Sequence, residues 1–339
     1  MVSYSDVATD PRWLPHAIDP QSRHIEFIRI PNEILQRPGF LFEYQPKSDS
    51  ERARLSYDQV LGLEVDTVPA HFIFHSGFCR STLLARALNL ENVSLSLCEP
   101  GIIASLASGM LVDERLTRQL LRLLARPRDG EKCVFIKPTN HANRLIPVLL
   151  RLMPEARAIL MTNALEPFLR SVGSRTLLGR RWGRQLYLEI QSYARVELNL
   201  SQQEVFSLTD MQASGLAWLA SQRYFDLLQK SEFQPRLRLL DGNDFNDHRD
   251  RTLSAVLEHC HVRDGEALPV VESAAKVFEQ HSKLGGNFKK KAPDRTDDLI
   301  AKEISEVEKW IGLIAEQLQL DVPLLTNLWG YRMHEGCNH

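Results

Sequence analysis

The chain has 339 residues, 43% of them hydrophobic and 25% charged, the balance of a globular protein with a sizeable core and not of a disordered one. Its 41 basic and 43 acidic side chains leave a net charge of -2, so the overall balance recruits neither nucleic acid nor an anionic membrane, and any anion site must be local. The opening MVSYSDVATDPRWLPHAID lacks the apolar segment of a signal peptide, no stretch approaches the roughly 20 apolar residues that span a bilayer, and five cysteines without CxxC spacing read as reduced thiols, so a cytoplasmic protein is expected.

In chain order, residues 1–70 are dotted with proline and carry short runs, HIEFIRI and FLFEY, without a strong helical period; they predict a small β-containing extension. From His71 short apolar runs alternate with amphipathic segments, the pattern of a parallel sheet flanked by helices. The strand candidates are HFIFH, VSLSL, CVFIK, ARAILMT and RLRLL, and the chain is expected to be an α/β protein built on a P-loop-like parallel sheet of about five strands. Ile102, Ile103, Leu106 and Met110, then Leu116, Leu120, Leu123 and Leu124, form apolar helix stripes and belong to the core. Two long helices between about 180 and 230, the first rich in arginine and tyrosine, interrupt the alternation as an insert that would cap the carboxyl ends of the strands. Further helices are expected from about Asp247 to Cys260 and from Asp297 to Leu318, separated by the basic loop HSKLGGNFKKKAP. The division expected is therefore an extension over 1–70 and an α/β domain over 71–339.

The densest chemistry follows the first core strand. Ser76, Gly77, Phe78 and Cys79 form a tight turn, and Arg80, Ser81 and Thr82 open an apolar-periodic helix. A loop placed between a strand and a helix can wrap backbone N–H groups around a phosphate; Gly77 permits the close turn, Arg80 supplies a bidentate cation, and Ser81 and Thr82 supply hydroxyls. Against the Walker pattern GxxxxGK[ST], Phe74 and Cys79 stand at the glycine positions and Arg80 at the lysine. A plain strand-turn-helix with a serine cap and a surface arginine is the alternative.

These residues resemble the loop GxxRSGTTLL of bacterial P-loop sulfotransferases, with Gly77, Arg80, Ser81, Leu83 and Leu84 in frame and two residues fewer between the serine and the leucines. The resemblance implies that Arg80, Ser81 and Thr82 face the phosphosulfate of 3′-phosphoadenosine-5′-phosphosulfate as donor substrate, with no metal required. It extends to Glu99-Pro100 after the second strand, where Glu99 is a candidate base for the acceptor or else a helix-start residue. Lys137, at the end of the third strand, stabilises the leaving phosphate in this reading, or is an ordinary solvated strand-end lysine. His141 is a second candidate base, since related eukaryotic enzymes carry a histidine just after such a lysine. The family holds the 3′-phosphate with an arginine and a serine eight residues apart; here Asn163 and Ser171 occupy those places. Compensating charge is sought in Arg170, Arg175, Arg180, Arg181 and Arg184 or in Lys289, Lys290 and Lys291, both clusters being equally readable as solvated faces.

The expected function is sulfuryl transfer to a small-molecule hydroxyl or amine acceptor, with a homodimer as the open oligomeric possibility. An ATP-dependent kinase is the second reading; it wants a magnesium-binding aspartate, and Asp241 and Asp244 are the nearest strand-end candidates. A nucleotide-binding P-loop protein without catalysis is the third. Trp182, Tyr187 and Tyr193 in the insert suit aromatic or anionic acceptors alike.

Overall fold

The computed structural model describes residues 4–37, 39–109, 113–262 and 295–329, with side chains of the last segment from 298 onward. Among the described residues, eight strands form two sheets. The first is antiparallel, in the order β1 (Trp13–Asp19), β2 (His24–Arg29), β3 (Arg52–Ser56). HIEFIRI thus supplies β2 as expected, whereas FLFEY does not form a strand. Leu41–Glu43 is a single 3₁₀ turn, and the Phe42 N–H donates 3.0 Å to the Glu99 carbonyl, so this segment is tied to the end of a core strand instead of pairing in the small sheet. WLPHAID is a strand despite Pro15 because β1 is an edge, where a missing donor costs no ladder bond.

The second sheet contains β4 (Ala70–His75), β5 (Ser94–Cys98), β6 (Cys133–Lys137), β7 (Ala158–Thr162) and β8 (Leu237–Asp241), in the order β5-β6-β4-β7-β8. It is the five-stranded parallel sheet flanked by helices that the alternation predicts. β4, β6 and β7 are buried along their whole length, which is why they read as continuous apolar runs and not as alternating ones. β4 is central, and the chain passes from it to one side through β5 and β6 and then to the other through β7 and β8. The loop following such a strand occupies the switch point where open α/β sheets bind ligands.

The described residues fall into two compact units, one from 4–74, 81–158 and 253–262, the other from 75–80, 159–252 and 295–329. In the first, helix Glu114–Leu124 starts at Asp113, whose side chain accepts from the Leu116 N–H at 2.8 Å, and it buries Leu116, Leu120, Leu123 and Leu124, the expected stripe. Helix Gly101–Ala107 packs on β1 so closely that a Cβ on Gly101 would lie 2.6 Å from His16 Nδ1. Met110 lies outside the described residues.

In the second unit, helices Leu165–Gly173, Thr176–Ala194, Asp210–Gln229 and Arg295–Gln317 share a core around Phe168, Met211, Leu216, Trp218, Val307 and Ile311. The two long helices of the insert are those at 176–194 and 210–229. A short helix, Gln202–Ser207, separates them. No described helix is long and apolar enough to cross a membrane.

Candidate functional site: the loop after the central strand

The loop from Ser76 to Arg80 belongs to the second unit and is built of unusual backbone. Gly77 has φ +100, and Phe78 and Arg80, neither of them glycine, have φ +53 and +64. Left-handed conformation costs a bulky residue about 1–3 kcal/mol, and it is an ingredient of the backbone turns that form anion-binding nests.

Neighbours hold the strained loop in place. The Ser76 N–H donates to the Met161 carbonyl at 3.0 Å, and Asn163 Nδ2 donates to the Phe78 carbonyl at 3.3 Å. The Phe78 ring lies 4.8 Å from Trp182 and 5.9 Å from Phe168, with the Arg175 guanidinium 4.2 Å over its face. From below, a Cβ on Gly242 would meet the Cys79 carbonyl oxygen at 2.6 Å, so helix Gly242–Asp247 begins directly against the loop backbone. Asp241 caps that helix, accepting from the Asn243 N–H at 2.7 Å, and burial pushes its carboxyl above the usual range. Beside the loop backbone, Ser76 Oγ and Asn163 Oδ1 are buried without a hydrogen-bond partner and can serve a ligand.

Arg80 is engaged with the start of helix Gly242–Asp247. Its guanidinium donates to the Gly242 carbonyl (3.1 Å) and to Asn243 Oδ1 (2.9 Å). Ser81 and Thr82 are buried at the start of helix Ser81–Ala87, in the first unit.

That first unit contains the second constellation. Lys137 at the end of β6 is fully buried and donates from Nζ to Glu99 Oε1 at 2.5 Å, Glu99 itself being 8% exposed. The solvated strand-end reading of Lys137 does not hold, since none of its surface reaches solvent. Cys98 pairs with Lys137 across the ladder, and Glu99, one residue on, takes φ +55 while its N–H donates to the Lys137 carbonyl at 2.6 Å. The Phe40 ring covers the ammonium at 5.6 Å. His141 sits half-buried in the 3₁₀ turn Asn140–Leu145, which packs on helix Gly101–Ala107.

The expected 3′-phosphate arm looks different. Ser171 donates its hydroxyl to the Pro167 carbonyl at 2.8 Å within its own helix. Arg170 pairs with Glu166, Arg180 with Glu303 and Arg184 with Asp210, and Arg175 stacks on Phe78. Arg181 is exposed and forms no ion pair with a described residue. Lys289, Lys290 and Lys291 lie outside the described residues.

Sequence reasoning missed the holding parts. Asn163, at the position expected to hold the 3′-phosphate, braces the loop through its amide while its backbone carbonyl accepts from Trp218 Nε1 at 2.8 Å. Trp182 and Arg175, read as acceptor or phosphate contacts, grip Phe78. Phe40 and Gly242 carried no local signal, because what they do is defined by residues more than 90 positions away.

No family's sequence profile matches the chain, and no curated protein matches it. Among solved structures it is similar to the sulfotransferase domain from the curacin biosynthetic pathway, at 13% identity and a TM-score of 0.43, over 77% of this chain and 100% of that one.

Proposed function

We propose that this chain is a sulfotransferase that moves a sulfuryl group from 3′-phosphoadenosine-5′-phosphosulfate to a hydroxyl or amine of a small acceptor. The observation that carries the reading is the buried Lys137–Glu99 pair at the ends of two adjacent strands. Sulfuryl transfer needs one cation to take up charge on the departing phosphate oxygen and one base to accept the acceptor's proton, and it needs positioning more than covalent chemistry. A buried ion pair is more costly than a hydrophobic pair of the same size, and this one is therefore expected to serve a function.

The unpartnered Ser76 Oγ and the left-handed backbone of the loop support its use for the donor's phosphosulfate end. The fit is poorer at the 3′-phosphate, where four of the five nearby arginines are already engaged. In this reading the acceptor oxygen attacks sulfur, the bond from sulfur to the bridging phosphate oxygen breaks, and the proton passes to Glu99, leaving the sulfated acceptor and 3′-phosphoadenosine-5′-phosphate. Lys137 turns from Glu99 toward the departing oxygen, and that frees the carboxylate to act as base. Arg80 exchanges its contacts to Gly242 and Asn243 for the incoming phosphate.

Calorimetry tests the assignment, with 3′-phosphoadenosine-5′-phosphate compared against ATP and magnesium. The first is expected to bind and Arg80→Ala to abolish that binding. Preference for ATP with magnesium would sink the proposal in favour of a kinase.

A further inference from the structure

Of the described cysteines, Cys79, Cys133 and Cys260 are buried, and Cys98 alone is half-buried. Burial pushes the Cys133 thiol up to about 12 and the Cys260 thiol well above its ordinary value, which leaves both inert at neutral pH. Cys98, at the end of β5, opens instead on a cavity of about 20 Å³ in the first unit, walled by Leu35 and Leu41 and lined also by Arg37, Arg86 and Ser96. Two guanidinium side chains line this space, and among the described residues no carboxylate does.

Arg86 and Cys98 act on each other. Burial pulls the Arg86 guanidinium below its ordinary range, and the charge of an ionised Cys98 works against that pull, an effect that decays with distance and so places the sulfur beside the cation. The same attraction favours the thiolate, the reactive form of cysteine. The other charged groups around β5 leave that balance in place. Lys137 pairs with Cys98 across the ladder and Glu99 follows it in sequence, but these two offset each other in their own contact, while Glu33 and Glu43 are exposed and do not line the cavity. Ser96 supplies an independent observation. Side chains two apart on a strand share a face, so Ser96 and Cys98 face the cavity together, their Cα atoms about 7 Å apart at roughly 3.3 Å per residue. Ser96 is 5% exposed, and its Oγ is buried without a hydrogen-bond partner. A space of about 20 Å³ holds one water-sized oxygen, and an oxygen placed there gives the Ser96 hydroxyl the partner it lacks.

We propose that Cys98 is a modification site: a thiol, held beside Arg86, that hydrogen peroxide converts reversibly to sulfenic acid, with the added oxygen seated in the cavity against Ser96 Oγ. The Cys98 thiolate attacks one peroxide oxygen. The sulfur–oxygen bond forms, the oxygen–oxygen bond breaks, and the departing hydroxide takes up the proton that the thiol released, leaving water. Sulfur is oxidised by two electrons, peroxide is reduced by two, and an added thiol reductant restores the cysteine.

The full chain, reduced beforehand, is exposed at neutral pH to a stoichiometric amount of hydrogen peroxide with dimedone present, then digested and read by mass spectrometry. The dimedone adduct is expected on Cys98 and not on Cys133 or Cys260. Alkylation of Cys98 by iodoacetamide, followed across pH by the same digestion, is expected to reach half its full rate below about 8.5, the ordinary value of a free thiol, and Arg86→Met is expected to slow it about tenfold at neutral pH. Ser96→Ala is expected to keep that rate and to shorten the lifetime of the sulfenic acid, read by delaying the dimedone. A folded protein without an adduct on Cys98 overturns the proposal, as does an Arg86→Met variant that reacts as fast as the wild type. Should Arg86→Met fail to fold, the wild-type profile decides alone, a half-point at or above about 8.5 overturning it. An undiminished lifetime in Ser96→Ala overturns the seat in the cavity.

Discussion

Glu99 and Lys137 depend on each other. Each is charged, each is almost wholly out of water, and the 2.5 Å contact between them is what makes that burial tolerable. Removing one partner takes this contact away from a buried charge, at a cost of about 3–5 kcal/mol, whereas removing both is close to break-even. Lys137→Met and Glu99→Gln are therefore each expected to lower the unfolding free energy by about 3 kcal/mol, and the double variant to recover most of it; chemical denaturation of the four proteins measures this. Simple additivity of the two losses would mean that the pair does not interact as described. Activity separates the catalytic claim from the structural one. With donor binding intact, Glu99→Gln is expected to slow turnover by about 100-fold or more, and His141→Ala to leave it nearly unchanged if Glu99 is the base.

At the scale of elements, the loop Ser76–Arg80 is an unfavourable backbone held by its surroundings: the Asn163 amide, the Phe78 clamp and the start of helix Gly242–Asp247. The contact at Gly242 is the least forgiving, because the opposing atom is the Cys79 backbone carbonyl and not the end of a flexible side chain. Gly242→Ala is thus expected to lower stability by about 1–3 kcal/mol and to weaken 3′-phosphoadenosine-5′-phosphate binding, read by thermal unfolding and calorimetry. Unchanged affinity would show that the loop does not rely on that helix. The five core strands and the loop itself were legible from local pattern, since a strand buried on both faces spells a continuous apolar run and a tight turn needs Gly77. The clamp was not legible. Phe78 and Trp182, or Asn163 and the Phe78 carbonyl, meet only through tertiary packing, and the arginines that look available for phosphate along the sequence are claimed by Glu166, Glu303 and Asp210.

The whole molecule should register acid through His71. This residue lies on the central strand, its Nδ1 accepts from the Arg157 N–H at 3.2 Å, and Nε2 is buried without a partner, so the folded state holds a neutral ring. Burial, reinforced by His259, Arg157 and His261, pulls its pKa down to about 4, against about 6.5 in the unfolded chain. The unfolded state therefore binds the proton first. The contribution of His71 to stability is fully present above pH 6.5 and is lost as pH falls toward 4, by about 3 kcal/mol at 1.36 kcal/mol per pH unit. Asp10 is also acid-sensitive but in a lower window: burial works to raise its pKa, the hydrogen bonds from Arg12 and Arg29 outweigh it, and the value falls to about 2, so its loss comes below the ordinary carboxylate pKa of 3.8. Urea midpoints measured between pH 7 and pH 4 are accordingly expected to fall more steeply for the wild type than for His71→Gln, which keeps an acceptor for the Arg157 N–H and has nothing to titrate. Parallel curves would place the acid sensitivity elsewhere and would mean that the imidazole does not remain neutral on the central strand.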